Sequence, residues 1–209
     1  MKIEIGESLL LSYLKHVKGC VLYQANWKAS SNWGKLEGKG YNKAKEVYDS
    51  IIKQPEFEKI FKKSDFDQLI KQSEIDVIGM DFNKVIYACD IAFHEFGLQY
   101  GDKFESKDRV LKKLLRTYLT VLTYFPNYKY RIVFASPKVH KATESVINEP
   151  FEYLKKIFSN KSVTFFYYSN EKFMEEILEP TIEAAIKDSD TNELFVRAMI
   201  LNNLNKKQK

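Results

Sequence analysis

The sequence predicts an α/β fold in which a central mixed β-sheet is flanked by helices. Strand-like and helix-like segments alternate through the second half of the chain, an order typical of sheets covered by helices. Of the 209 residues, 44% are hydrophobic, which is enough apolar material for one sizeable core and a single domain over residues 1–209. Fifteen Phe and thirteen Tyr against eight Gly and five Pro exclude a disordered or fibrous chain.

The first third of the chain predicts helices around one short strand. An amphipathic helix is expected over residues 6–17, because leucine and tyrosine side chains recur on one face and Gly19 is a stop signal. Glu7 then lies in the first turn of this helix. Residues 20–23 are β-like, residues 24–41 are predicted to be irregular, and helical segments are expected across residues 42–72.

Strand signals begin at residue 75. Residues 75–81 and 84–94 are rich in β-branched and aromatic side chains and flank a short turn, so they predict a hairpin. The remaining predicted elements are a helix over 107–124, a strand over 130–136, a helix over 138–158, a strand over 162–168 and two helices before a lysine-rich tail.

The cysteines and tryptophans are predicted to be structural. Cys20 and Cys89 lie in apolar runs and show no zinc-binding spacing, which favours reduced thiols in a disulfide-free, cytoplasmic protein. Trp27 and Trp33 are interpreted as core anchors, with stacking on nucleobases as the alternative. No apolar stretch approaches the roughly 18 residues that a membrane span requires, so neither a transmembrane helix nor a signal peptide is predicted.

Positive charge is concentrated in one region. Residues 109–143 contain eight basic side chains and no acidic one, so the rest of the chain carries 25 basic against 28 acidic residues. Such asymmetry suits a surface that meets a polyanion, and nucleic acid is the commonest polyanion for this class of protein. The alternative is a solvated helix face. The basic ridge predicted on the 107–124 helix, at helical spacing and exposed to solvent, consists of Arg109, Lys112, Lys113 and Arg116.

Each strand of the predicted hairpin carries an aspartate between apolar neighbours. Because strand side chains alternate, Asp90, Ala92 and His94 are expected to project together, with Asp76 near Asp90 on the same face. Two carboxylates brought together repel unless a cation joins them, and hard oxygen ligands favour Mg²⁺ or Mn²⁺. The structural alternative is that Asp76 caps a strand end while Asp90 satisfies a backbone donor or pairs with a lysine.

The order of a helix bearing Glu7, a hairpin bearing Asp76 and Asp90, and then a helix and a strand resembles the PD-(D/E)xK, or restriction-endonuclease-like, nucleases. The resemblance implies a central sheet flanked by helices and one or two Mg²⁺ ions. Asp76 resembles the family's acid on the second core strand, and Asp90 resembles the acid on the third. Glu7 resembles the first-helix glutamate that completes the metal site in many members.

The sequence departs from the family pattern at two positions. Ala92 stands where the family has its lysine, and Ile75 stands where the name pattern has proline. Because histidine can act as an acid or a base near neutral pH, His94 is the expected replacement as a base or phosphate contact. Lys28 and Lys84 are other candidates to supply the missing ammonium.

These features predict a metal-dependent nuclease that hydrolyses DNA phosphodiester bonds, with a possible homodimer to cut both strands. The alternative is a non-catalytic nucleic-acid-binding or interaction protein that keeps the fold with a degraded site. A small-molecule enzyme is disfavoured, because neither a phosphate loop nor a nucleophile elbow is present. The expected roles are metal binding by Glu7, Asp76 and Asp90, water activation by His94, and DNA backbone contacts by Arg109, Lys112, Lys113 and Arg116.

Overall fold

A computed structural model shows an α/β fold built on a five-stranded mixed sheet with helices on both faces. The structure describes residues 4–30, 37–61, 65–94, 96–159, 161–185 and 193–207, with side chains described as far as residue 202. The helices are α1 (Ile5–Ser12), α2 (Lys39–Ile51), α3 (Phe66–Lys71), α4 (Lys103–Tyr124), α5 (Lys141–Ile157), α6 (Asn170–Phe173), α7 (Glu179–Ala185) and α8 (Leu194–Lys207). The strands are β1 (Cys20–Lys28), β2 (Glu74–Asp81), β3 (Val85–Ile91), β4 (Lys129–Ser136) and β5 (Val163–Ser169).

The strands lie side by side in chain order, β1-β2-β3-β4-β5. β1, β2 and β3 form an antiparallel meander, whereas β3, β4 and β5 are parallel to one another. The connections explain this difference, because a short turn can join only antiparallel neighbours and a parallel pair needs a crossover. The helices α4 and α5 are those two crossovers.

Two apolar cores cover the two faces of the sheet. The larger core packs α2, α4 and α5 against one face, where Ile132 and Phe134 of β4 are fully buried. The smaller core packs α1, α7 and α8 against the other face, around Val77 and Cys89. Gly40 lets α2 approach α4, since a Cβ atom there would collide with the Thr123 carbonyl oxygen. The site described below lies on the face that α4 covers.

Several element boundaries differ from the sequence prediction, and α2 and α4 begin earlier than expected, at Lys39 and Lys103. α1 ends at Ser12 and the chain continues as a π-helical turn, Tyr13–Val17. β1 runs on to Lys28 through a segment that was expected to be irregular, because its residues pair with β2. β3 ends at Ile91, three residues before the predicted end.

The predicted structural roles of three residues can be checked directly. Trp27 is buried and packs against the rings of Tyr124 and Phe125, as expected of a core anchor. Cys20 and Cys89 are buried free thiols. Trp33 lies outside the described residues. Among the helices that the structure describes, none is both long and apolar enough to cross a bilayer.

Candidate active site

Asp76 and Asp90 lie opposite each other at the end of the β2–β3 hairpin that is distant from its turn. The strand register pairs Val77 with Cys89, and the next position along brings the two aspartates face to face. At this position the hydrogen bond between the strands is made by a side chain. The Ile91 amide donates to Asp76 Oδ2 at 2.8 Å and not to a backbone carbonyl oxygen. The proximity expected from strand alternation is therefore present.

Helix α4 places the ammonium group of Lys113 beside both carboxylates. Lys113 Nζ lies 3.7 Å from Asp76 Oδ2 and 3.8 Å from Asp90 Oδ1. Both distances exceed those of a hydrogen bond, so the lysine neutralises the pair through charge. The same nitrogen lies 5.9 Å from the centre of the Phe134 ring, which forms an apolar wall.

Asp90 is a buried carboxylate, with only 1% of the residue exposed. Thr117 Oγ1 of α4 donates a hydrogen bond to Asp90 Oδ2 at 2.5 Å, whereas Asp90 Oδ1 has no hydrogen-bond partner among the described residues. Burial is the main reason that the pKa of Asp90 is raised to about 6. The charge of Lys113 opposes this shift, and the charge of Asp76 adds to it.

Lys113 keeps its proton at neutral pH. Burial lowers the pKa of its ammonium group, but the carboxylates of Asp90 and Asp76 act in the opposite direction and the net shift is upward. A lysine held in this way is a permanent positive charge and not a proton acceptor. The site thus combines two carboxylates, one ammonium group and one unpaired buried oxygen.

Glu7 does not join the aspartates in a three-carboxylate cluster, contrary to the expectation for a metal ligand. Its Oε2 accepts hydrogen bonds from Asn26 Nδ2 at 2.9 Å and from the Glu4 amide at 3.3 Å, which tie it to the start of α1. Asn26 has a left-handed φ of 51° and stands opposite Asp76 in the β1–β2 register, so Glu7 borders the site. Within the described residues no group of three or more His, Cys, Asp or Glu side chains could hold a metal ion.

His94 is not on the strand face that was expected to carry it. β3 ends at Ile91, and His94 is an exposed residue whose ring packs edge-on against Tyr100, with 6.2 Å between ring centres. It makes no hydrogen bond with either aspartate within the described part of the chain. Lys84 adopts a left-handed φ of 58° in the hairpin turn at the opposite end of β2 and β3, and Lys28 is exposed and paired in register with Glu74.

The basic ridge on α4 is only partly exposed to solvent, which differs from the prediction. Arg109 is exposed, whereas Lys112, Lys113 and Arg116 are half-buried. Lys112 Nζ lies 5.9 Å from the centre of the Phe61 ring, and Arg116 Nη2 lies 3.5 Å from the carbonyl oxygen of Glu74. The helix therefore turns Lys113 and Arg116 toward β2 and β3, whereas Lys112 lies over the Phe61 ring.

Sequence reasoning missed the role of Lys113 at the carboxylates and the contact of Thr117. A signal was present, because Lys113 and Thr117 are spaced i, i+4 and Thr117 interrupts the apolar stripe of α4. A buried polar residue in such a stripe needs a polar partner. Asp90 is that partner.

The two carboxylates are oxygen ligands of the type that a divalent cation takes. Mg²⁺ is often held by one or two carboxylates together with substrate phosphate and water. The unpaired Asp90 Oδ1 and the nearby Asp76 carboxylate supply such ligands, so the residues present fit the ion. Comparisons of this chain with protein-family models, curated proteins and solved structures find no match.

Proposed function

We propose that this protein is a metal-dependent nuclease that hydrolyses DNA phosphodiester bonds on a restriction-endonuclease-like core. The observation that carries the proposal is the convergence of Asp76, Asp90 and Lys113 at one end of the sheet. The two acids stand on the second and third strands of the sheet, as the resemblance implies. The hydrogen bonds from the Ile91 amide and Thr117 satisfy one oxygen of each acid, but they leave the buried Asp90 Oδ1 without a hydrogen bond among the described residues.

Lys113 supplies the ammonium group that the family pattern has on the third strand and that this sequence lacks there. The lysine is absent from β3, where Ala92 replaces it, but α4 brings an ammonium group to the same two carboxylates. Catalysis depends on where the charge lies and not on which element carries it. We therefore assign to Lys113 the phosphate contact that the sequence had suggested for His94.

Asp76 and Asp90 would hold the metal ion, and Lys113 would contact the scissile phosphate. The chemistry that Mg²⁺ supplies in such a site is positive charge against the phosphate and a lower pKa for the attacking water. Because Lys113 stays charged, it donates hydrogen bonds to phosphate oxygens and stabilises the negative charge that grows there. Phe134 limits the access of water on one side of the ammonium group and so strengthens these interactions.

Metal-dependent cleavage by purified variants tests the proposal. The full chain should cleave plasmid DNA in Mg²⁺ or Mn²⁺ and stop in EDTA. Asp76→Asn, Asp90→Asn and Lys113→Met should each lose at least about a hundredfold in rate, the scale expected when a charged group in the site is removed. Asp49→Asn removes an exposed carboxylate of α2 and should cleave at the rate of the unmodified chain.

The same assay separates the proposal from its alternative. DNA binding without any metal-dependent cleavage would favour a binding protein with a degraded site. Cleavage that survives both Asp90→Asn and Lys113→Met would show that another site is responsible. Either result would overturn the assignment of these residues.

A further inference from the structure

The chain that follows β3 presents aromatic rings to solvent beside the candidate active site. Phe93 is 43% exposed and Phe96 is 71% exposed, and His94 is exposed between them. Apolar rings are usually buried when a core is available, and this chain buries many others in two cores. A cluster of exposed rings three to six residues after Asp90 therefore indicates a binding surface.

The backbone on one side of these rings is bonded to β4, and on the other side to the loop that follows β4. The Ala92 amide donates to the Ala135 carbonyl oxygen at 2.9 Å, and Ser136 Oγ donates to the Ala92 carbonyl oxygen at 3.0 Å. Further along, the Leu98 amide donates to the Lys138 carbonyl oxygen at 2.8 Å. The rings thus project from an anchored segment, which lowers the entropy that a ligand would lose on binding.

Phe93 also contacts the first helix. A Cβ atom placed on Gly6 would come within 2.9 Å of the Phe93 Cβ atom, so the phenylalanine lies directly on the first turn of α1. Glu7 is the next residue of that turn. Phe93 therefore lies beside the helical turn that carries Glu7.

Two cations lie near residues that follow these rings in the chain. The Arg109 guanidinium carbon is 5.4 Å from the centre of the Tyr100 ring, whose edge contacts His94. Arg109 forms no salt bridge with any acid that the structure describes, so its charge is available to a ligand. Lys138 is exposed, and its Cγ atom would be 3.3 Å from a Cβ atom on Gly97.

We propose that Phe93 and Phe96 stack on the bases of an unpaired DNA strand while Arg109 and Lys138 contact its phosphates. This inference rests on the proposed nuclease function and names the form of DNA that the site takes. Alternating aromatic and cationic groups suit single strands, because every unpaired base offers a ring face and every linkage a charge. In a duplex the base faces are stacked on each other, and these rings would meet only the backbone.

Binding measured in EDTA tests the inference without cleavage. Fluorescence anisotropy compares a labelled single strand with the duplex made by annealing its complement, at one fixed salt concentration. The unmodified chain should bind the single strand more tightly. Phe96→Ala should weaken binding of the single strand about tenfold, the effect of losing one stacked base, with little change for the duplex.

Two further variants keep the outcome unambiguous. Phe82→Ala removes an 84% exposed phenylalanine from the hairpin turn at the opposite end of β2 and β3, and it should bind both forms of DNA normally. Phe96→Trp should retain affinity for the single strand. Because Phe96 is mostly exposed, neither change at this position should affect folding.

The inference is overturned if Phe96→Ala binds the single strand as tightly as Phe82→Ala does, or if both forms of DNA lose affinity equally. Its failure differs from failure of the nuclease proposal. Phe96-dependent binding without metal-dependent cleavage would keep the stacking surface and reject the hydrolytic function. Asp90-dependent cleavage with no effect of Phe96→Ala would keep the nuclease and reject this surface.

Discussion

Lys113 Nζ lies 3.8 Å from Asp90 Oδ1, a buried oxygen that lacks a hydrogen bond from any residue the structure describes. The lysine reduces the cost of this buried charge without removing it, and the pKa of Asp90 remains raised to about 6. A site arranged in this way is destabilised at neutral pH by the same carboxylate that a metal ion would use.

Removing the ammonium group should destabilise the fold. We expect Lys113→Met to lower the free energy of unfolding by about 3 kcal/mol at pH 7, because it leaves a buried carboxylate without its partner charge. The loss should shrink at pH 5, where Asp90 is mostly protonated. Urea titrations at the two pH values measure both effects. Lys112→Met, one residue away, serves as the control, and equal losses for the two variants would contradict the explanation.

Metal binding should depend on the protonation of Asp90. The raised pKa means that the folded protein retains a proton between about pH 4 and pH 6 that the unfolded chain has lost. A metal ion must displace this proton, so Mn²⁺ affinity should fall up to about tenfold per pH unit below pH 6. Calorimetry across pH 5 to 7.5 measures the slope. Asp49→Asn should show the same slope, and an affinity that does not vary with pH would rule out Asp90 as a ligand.

Arg109 should contribute to DNA binding through charge alone. We expect Arg109→Ala to weaken binding of single-stranded DNA regardless of sequence and to reduce the slope of log affinity against log salt by about 0.7. Salt titrations of the unmodified chain and the variant provide the comparison. Lys45→Ala removes an exposed cation from α2 and should leave the slope unchanged. An unaltered slope in Arg109→Ala would mean that this guanidinium does not contact phosphate.

Glu193 should anchor the last helix in a pH-dependent manner. Burial raises its pKa, but hydrogen bonds from Lys15 and Ser12, together with the His16 charge, lower it to about 2. A carboxyl with a lowered pKa stabilises the fold above about pH 4.3, and this contribution is lost as the pH falls toward 2. We expect Glu193→Gln to destabilise the protein by about 2 kcal/mol at pH 7.

Hydrogen exchange locates that effect. The amides of α8 should exchange faster in Glu193→Gln than in the unmodified chain, and the difference should disappear at pH 2. Glu183→Gln, at an exposed position of α7, should show no such change. Equal protection of α8 in Glu193→Gln and the unmodified chain would contradict this role.

The strands and the aspartate pair could be predicted because their signals are local. Alternating apolar side chains and a short turn specify the β2–β3 hairpin, and the hairpin register specifies that Asp76 faces Asp90. The end of β3 was predicted at His94, but the strand ends at Ile91. No change in the periodicity of the sequence marks that end.

The position of Lys113 could not be predicted from such patterns. Its helical spacing identifies the face of α4, but the rotation of α4 over the sheet depends on how the whole apolar stripe packs. The sequence alone therefore suggested a solvent-facing ridge, whereas α4 buries Leu114 and Leu115 and turns Lys113 and Arg116 toward β2 and β3. The contact of Glu7 could not be predicted for a similar reason, because its bond to Asn26 depends on an unusual backbone angle in β1.

The order of the strands also constrains how the protein folds. β2 and β3 are joined by a turn of three residues, whereas the pairing of β3 with β4 requires the long crossover through α4. Short loops close at lower entropic cost, so we expect the hairpin to form before α4 docks. In this order Asp76 and Asp90 come close together before α4 brings Lys113 to them. Until then we expect the two carboxylates to be solvated by water or one of them to be protonated. We therefore expect Lys113 to join the two aspartates late in folding, when α4 packs against the sheet.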